Sequence, residues 1–168
     1  MSALNGLDRE TFVSRFGGVF EHSPWIAEAA YDAGIPKGTE TAEALHRLMT
    51  TALEKGTEAQ KRALITAHPD LAGRLAAAGR LTAESTREQA SAGLDLLSDD
   101  ERRRFTELNE RYKAKFAMPF IMAVKGCGKD EILAAFNARL ENDAAAEFAT
   151  ALKQIERIAL LRLKDILP

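Results

Sequence analysis

The chain has one cysteine, Cys127, in 168 residues. A single thiol cannot close an internal disulfide or build a thiolate metal cluster, and it fits a reducing compartment. Charge of either sign is also not in excess. With 23 Lys and Arg against 25 Asp and Glu, the formal net charge is -2, which gives no footprint for nucleic acid or an anionic membrane. The three arginines Arg102 to Arg104 follow Asp99, Asp100 and Glu101, so this run reads as a solvated helix face. No apolar stretch approaches the roughly 18 residues of a membrane span. The first residues, Met1 to Gly6, lack the basic and apolar regions of a signal peptide, and Ile166-Leu167-Pro168 carries no retrieval tripeptide. A cytoplasmic protein with neither a nucleic-acid nor a membrane partner is expected.

The usual cofactor signatures are missing too. His22, His46 and His68 lack the i, i+4 spacing of a helical metal pair, and HExxH does not occur. There is no P-loop, no GxGxxG turn and no GxSxG elbow. No cofactor and no metal is expected.

What remains is helix after helix. Asp8 to Phe16 is a short candidate that Gly17-Gly18 ends, and Ser23-Pro24 reads as an N-cap with proline in the first turn. Thr39 is placed as the cap of a longer helix whose Ala44, Leu45, Leu48, Met49 and Ala52 keep a helical period to Gly56. Thr57 with Gln60, and Ser98 with Glu101, have the spacing of capping boxes. Between them, His68-Pro69 breaks a helix, and another runs from about Thr82 to Ala92. Pro119 stops the helix that Ser98 opens; Phe120 to Val124 could be extended or a helical turn. Lys129 to Leu140 and Asp143 to Ile166 complete the set. No alternating strand pattern, repeat or linker interrupts the series. The expected fold is all-α, one single-domain multi-helix bundle over residues 1–168.

Three features could carry chemistry. His68 sits outside a helix on a bend stiffened by Pro69, where an imidazole titrating near neutrality is a natural proton carrier. A loop histidine without a role looks the same. Ser85, Glu88 and Gln89 project from one helical face and would form a polar row able to hold a heterocycle rich in N–H and C=O groups; a merely solvated face, with Glu84 and Arg87, also fits. Arg162 falls in step with Ile155, Ala159 and Ile166. A guanidinium aimed at a core needs a carboxylate or an anionic ligand, so a structural ion pair competes with a binding role. Cys127 reads as incidental, and Phe16, Phe20 and Trp25 as core packing.

Several stretches, in this order, resemble the OHCU (2-oxo-4-hydroxy-4-carboxy-5-ureidoimidazoline) decarboxylases. They are Glu21-His22-Ser23-Pro24-Trp25, His68-Pro69-Asp70-Leu71-Ala72, Glu88-Gln89-x-x-Ala92-Gly93-Leu94 and Leu108-Asn109-x-x-Tyr112. Lys115-Phe116-x-x-Pro119-Phe120-Ile121 and Ile158-Ala159-x-x-Arg162-Leu163 follow. The resemblance implies a cofactor-free carboxy-lyase of urate degradation that converts a small ureidoimidazoline to (S)-allantoin and carbon dioxide, as a homodimer. It puts catalytic roles on His68 and Glu88, and substrate contacts on Pro69, Ser85, Gln89, Phe120, Ile121, Ala123, Val124 and Arg162. One departure stands out: the family usually reads Phe-Gly-Phe-Pro-Phe where this chain has Phe116-Ala117-Met118-Pro119-Phe120. Ala in place of Gly requires a backbone that tolerates a Cβ, and Met reshapes an apolar wall. The alternatives are a helical module that binds a ureide without turning it over, and an enzyme acting one step earlier on hydroxyisourate, which the helical pattern does not favour.

Overall fold

The computed structural model describes residues 4–72 and 79–167; residues 1–3 and 168, which enter the reading of the two termini, lie outside them. Among the described residues every regular element is helical: a 3-10 turn, Leu4–Gly6, and eight α-helices. These are α1 (Arg9–Phe16), α2 (Trp25–Asp32), α3 (Ala42–Glu54), α4 (Glu58–Ala67), α5 (Ala83–Ser91), α6 (Asp99–Phe116), α7 (Lys129–Arg139) and α8 (Ala144–Ile166). The class is all-α. Two units are distinguished along the chain, residues 1–67 with 155–168, and residues 68–154.

In the first unit, α1 starts because the Asp8 carboxylate accepts the Thr11 N–H at 2.7 Å, satisfying one of the donors a helix start leaves open. Phe12 and Phe16, one turn apart, are buried with ring centres 5.1 Å apart. Phe12 also meets Tyr31 of α2 at 5.3 Å, and the Tyr31 hydroxyl donates to the Leu7 carbonyl. Helix α2 packs on both α1 and α3, where Leu45, Met49 and Leu53 recur every fourth residue and are buried. Phe16 and Phe20 lie in this core, whereas Trp25 is half-buried. It rests against Gly56, where an added Cβ would come within 2.8 Å of the indole. That close approach explains the glycine.

Two expected caps are corrected. The Ser23 hydroxyl donates to the Glu21 carbonyl at 2.9 Å and does not cap α2, whose N-cap is Pro24. Thr39 donates to the Pro36 carbonyl, and Thr41 is the residue that caps α3 through the Ala44 N–H. In both cases the hydroxyl finds a carbonyl in the preceding turn before it can serve the helix. The Thr57–Gln60 pair opens α4 as expected, with both reciprocal bonds formed.

The second unit is organised by α6, the longest of its helices that lie entirely within it. Ser98 and Glu101 form its capping box at 3.1 and 3.2 Å, and Phe105, Leu108 and Tyr112 are buried along one face. Lys129, at the start of α7, pairs with the Glu101 carboxylate. The α6 helix ends on Ala117, a C-cap in the left-handed region at φ 55°, ψ 31°; Pro119 only prevents its resumption. Phe120 to Val124 is neither strand nor helical turn.

Two outcomes follow. The Lys129 ammonium, and after it the Ser98 N–H and hydroxyl, hold the half-buried Glu101 carboxyl at about 2. A depressed carboxyl stabilises the fold above its unfolded value of 4.5 and loses that contribution as pH falls towards about 2. Thermal melts of Glu101→Gln should therefore show a shallower decline over that window than the parent. Ala117 bears a Cβ in a conformation that glycine adopts freely. Because its side chain is exposed, Ala117→Gly should stabilise the chain by about 0.5–1 kcal/mol in denaturant unfolding.

Candidate active site

Helix α4 ends at Ala67 because His68 precedes a proline, which disfavours helical backbone for it. The imidazole of His68 is buried, with 8% of the residue exposed. The bend that follows leaves peptide groups without helical partners, and a buried peptide group must find one. Side chains of the second unit supply them. Gln89 Nε2 donates to the Asp70 carbonyl at 3.3 Å, and its Oε1 accepts the Ala72 N–H at 2.9 Å. Asn109 Nδ2 donates to the Leu71 carbonyl at 2.9 Å, and Lys113 reaches the Asp70 carboxylate at 2.5 Å. Ala72 takes φ 51°, a left-handed conformation that costs a residue with a Cβ.

The polar row on α5 is not a solvated face. The Thr82 hydroxyl caps the helix through the Ser85 N–H. Ser85 and Gln89, one turn apart, are buried, and Glu88 beside them is half-buried. Because Gln89 binds residues 70 and 72, the helix carrying Ser85 and Glu88 is joined directly to the loop that His68 and Pro69 begin. The expected Gln89 side chain thus has an anchoring task that its sequence position did not disclose.

The other expected wall, Phe120 to Val124, is irregular backbone with Phe120, Ile121, Ala123 and Val124 buried. Phe120 stacks on Phe136 of α7, ring centres 3.7 Å apart, and meets Tyr112 of α6 edge-on at 5.3 Å. Arg139 Nη1 donates to the Ile121 carbonyl at 2.6 Å, and the Ala123 N–H donates to Gln154 Oε1 at 2.9 Å. Arg139 is fixed in turn: its guanidinium lies 4.2 Å over the Phe120 ring and its Nε donates to Glu147 at 2.8 Å. The fully buried Glu147 also accepts the Tyr112 hydroxyl at 2.6 Å and the Asn142 amide at 3.1 Å. Burial first, and then its bond to the Glu147 carboxylate, push the Tyr112 phenol well above its ordinary range. It therefore remains a proton donor to that carboxylate at working pH.

Arg162 belongs to the first unit. Its Nη1 donates to Glu21 at 2.8 Å and to the Val19 carbonyl at 3.4 Å, with both charged side chains at most 5% exposed. The ion pair weighed from the sequence is formed, and Ile166, in step with Arg162, is partly exposed. Among the described residues no cluster of His, Cys, Asp and Glu could hold a metal ion. Sequence reading gave no role to Glu21, Asn109, Arg139, Glu147 or Gln154. Asn109 offered a signal, since it stands on the apolar side of α6 beside Leu108 and Tyr112. Glu21, Arg139, Glu147 and Gln154 carry no comparable local signal.

Residues 5–164 match the family model described as OHCU decarboxylase. The chain belongs to that family. An OHCU decarboxylase of Haloferax volcanii is 39% identical over 165 residues, covering 98% of this chain and 94% of the relative. A uric acid degradation bifunctional protein of Bacillus subtilis is 40% identical; this chain is 99% covered but spans only 32% of that protein. Among solved structures, an (S)-allantoin synthase superposes with a TM-score of 0.75 at 31% identity, over 98% of this chain and 52% of the other.

The Glu147 cluster has a measurable consequence for the Phe120–Val124 segment it supports. Removing one partner of a buried ion pair strands the other, at a cost of about 3–5 kcal/mol. Losing a neutral donor to a charge costs about 1.5–3 kcal/mol. Urea unfolding should thus rank Arg139→Met as more damaging than Tyr112→Phe; the reverse order would contradict the Arg139–Glu147 ion pair as the stronger of the two bonds to that carboxylate.

Proposed function

We propose that this chain catalyses decarboxylation of 2-oxo-4-hydroxy-4-carboxy-5-ureidoimidazoline to (S)-allantoin and carbon dioxide. One observation carries the reading: Gln89 ties the loop begun by His68 to the helix of Ser85 and Glu88, so a proton carrier and an acidic side chain belong to one anchored assembly. Family membership and the relatives' activity support the same conclusion.

The substrate's carboxylate is bonded to a ring carbon that also bears a hydroxyl and adjoins a C=N bond. When the C–C bond breaks, carbon dioxide leaves and the electron pair moves into the ring as the imine nitrogen gains a proton. The hydroxyl proton is then lost as a carbonyl forms, and the neighbouring carbon gains a proton. The substrate acts as its own electron sink, so the reading needs no cofactor.

His68 exchanges the hydroxyl proton, and a buried imidazole is suited to that work. Glu88 orients the imidazole or bonds the ring. Ser85, the second Nε2 hydrogen of Gln89 and main-chain groups of Ile121 to Val124 fix the ring and ureido arm, with Pro69 and Phe120 as walls. Arg162 holds an anionic or carbonyl edge of the substrate, an assignment supported by the resemblance and independent of its bond to Glu21. Protonation from one face gives a single enantiomer. The same reading includes a cytoplasmic homodimer built from one family domain per chain.

Freshly generated substrate followed by near-UV circular dichroism tests this directly. The protein should accelerate the (S)-allantoin signal, and His68→Ala should lower the catalysed rate by about 10²–10⁴-fold with unchanged far-UV spectrum. Wild-type turnover in that variant rejects the role of His68, and binding without acceleration favours a ureide-binding module.

A further inference from the structure

The bend after His68 is held at three consecutive residues by two side-chain amides. Gln89 takes the Asp70 carbonyl and the Ala72 N–H, and Asn109 takes the Leu71 carbonyl between them. The two amides come from different helices, α5 and α6, so the chain is gripped from two directions. Lys113, one turn beyond Asn109, adds an ion pair to Asp70, but Lys113 is half exposed and solvent screens it. Asn109 is different. It is 4% exposed, and its Oδ1 is buried with no hydrogen-bond partner among the described residues. A buried acceptor without a partner weakens a fold, and an apolar residue of similar size would avoid that loss. What Asn109 supplies in exchange is one donor, aimed at Leu71.

That donor acts at a short distance along the chain. The proline ring fixes φ at Pro69 and restricts His68 before it, so the soft torsions between the imidazole and the Leu71 carbonyl are fewer than in an ordinary loop. The left-handed turn at Ala72 stays in place only while its surroundings hold it. We propose that Asn109 is a positioning residue: by fixing the Leu71 peptide it sets where the His68 imidazole points. The consequence for turnover rests on the proton-carrier reading of His68; the consequence for the imidazole does not. A displacement near 1 Å in a reacting group can cost about 100-fold in rate.

The test uses Asn109→Asp, which keeps the shape but turns an oxygen towards the carbonyl, and Asn109→Ala, which also removes the stranded acceptor and guards against failure of the charged variant to fold. Leu108→Ala, a truncation of a buried neighbour on the same helix, is the control for lost stability. The chain has three histidines, so the imidazole signals in long-range nitrogen–proton NMR can be assigned by the loss of one in His68→Gln.

Both Asn109 variants should shift or broaden the His68 signals while leaving those of His22 and His46 in place. They should lower kcat by about 10- to 100-fold with KM within about threefold, whereas Leu108→Ala, at a comparable loss of thermal midpoint, should keep both the His68 signals and kcat. Unchanged His68 signals in the Asn109 variants, or an equal fall of kcat in the control, overturn the proposal. If the parent itself does not turn over substrate, the functional reading fails, and the NMR comparison alone still decides for or against Asn109.

Discussion

The second unit depends on how a chain leaving a helix ahead of a proline finds partners for its peptide groups. Proline removes one donor and bars continuation of the helix, so the groups at residues 70–72 must be met by something other than backbone. Gln89 meets two of them. Without that amide, the bend would have to open to water or change its path, and α5 would lose two of its bonds to it. The roles proposed for His68 and Glu88 rest on a loop that this side chain helps to hold.

Helix α6 is the common post. Asn109 and Lys113, one turn apart, face the loop, while Tyr112 and Phe116 pack together, with Tyr112 meeting Phe120. Its capping box and the ion pair from Lys129 fix one end, and the left-handed Ala117 turns the chain into the Phe120–Val124 segment at the other. That segment cannot satisfy itself, having no strand neighbour among the described residues. Arg139 and Gln154 take its carbonyl at Ile121 and its N–H at Ala123. Arg139 is held in turn by the buried Glu147, so part of the polarity buried here serves irregular backbone that regular structure would have satisfied unaided.

Much of this was legible in the sequence, for physical reasons that differ from residue to residue. Capping boxes at Thr57 and Ser98 are local, and the structure forms both. The helix boundary at Ala67 follows from Pro69 alone. Ser23 and Thr39 misled because a hydroxyl can serve a preceding carbonyl as readily as a following N–H, and spacing does not choose between them. The long-range bonds were illegible. Nothing in the local pattern states that Asn109 reaches Leu71 across 38 residues, or that Tyr112 donates to Glu147 across 35. The roles of His68 and Glu88 came through family resemblance, because a loop imidazole or a helical carboxylate alone is too common to interpret.

Gln89 narrows what evolution can write at its position. It must offer an acceptor to one peptide and a donor to another from a single planar head, and among side chains of that length only a primary amide does both at every pH. Glutamate would do so only while protonated, and once ionised it would set a negative oxygen against the Asp70 carbonyl. A single-base change in the codon therefore separates a firm anchor from one that fails once pH rises past the ordinary carboxyl value of about 4.3, and drift at this site has almost nowhere to go.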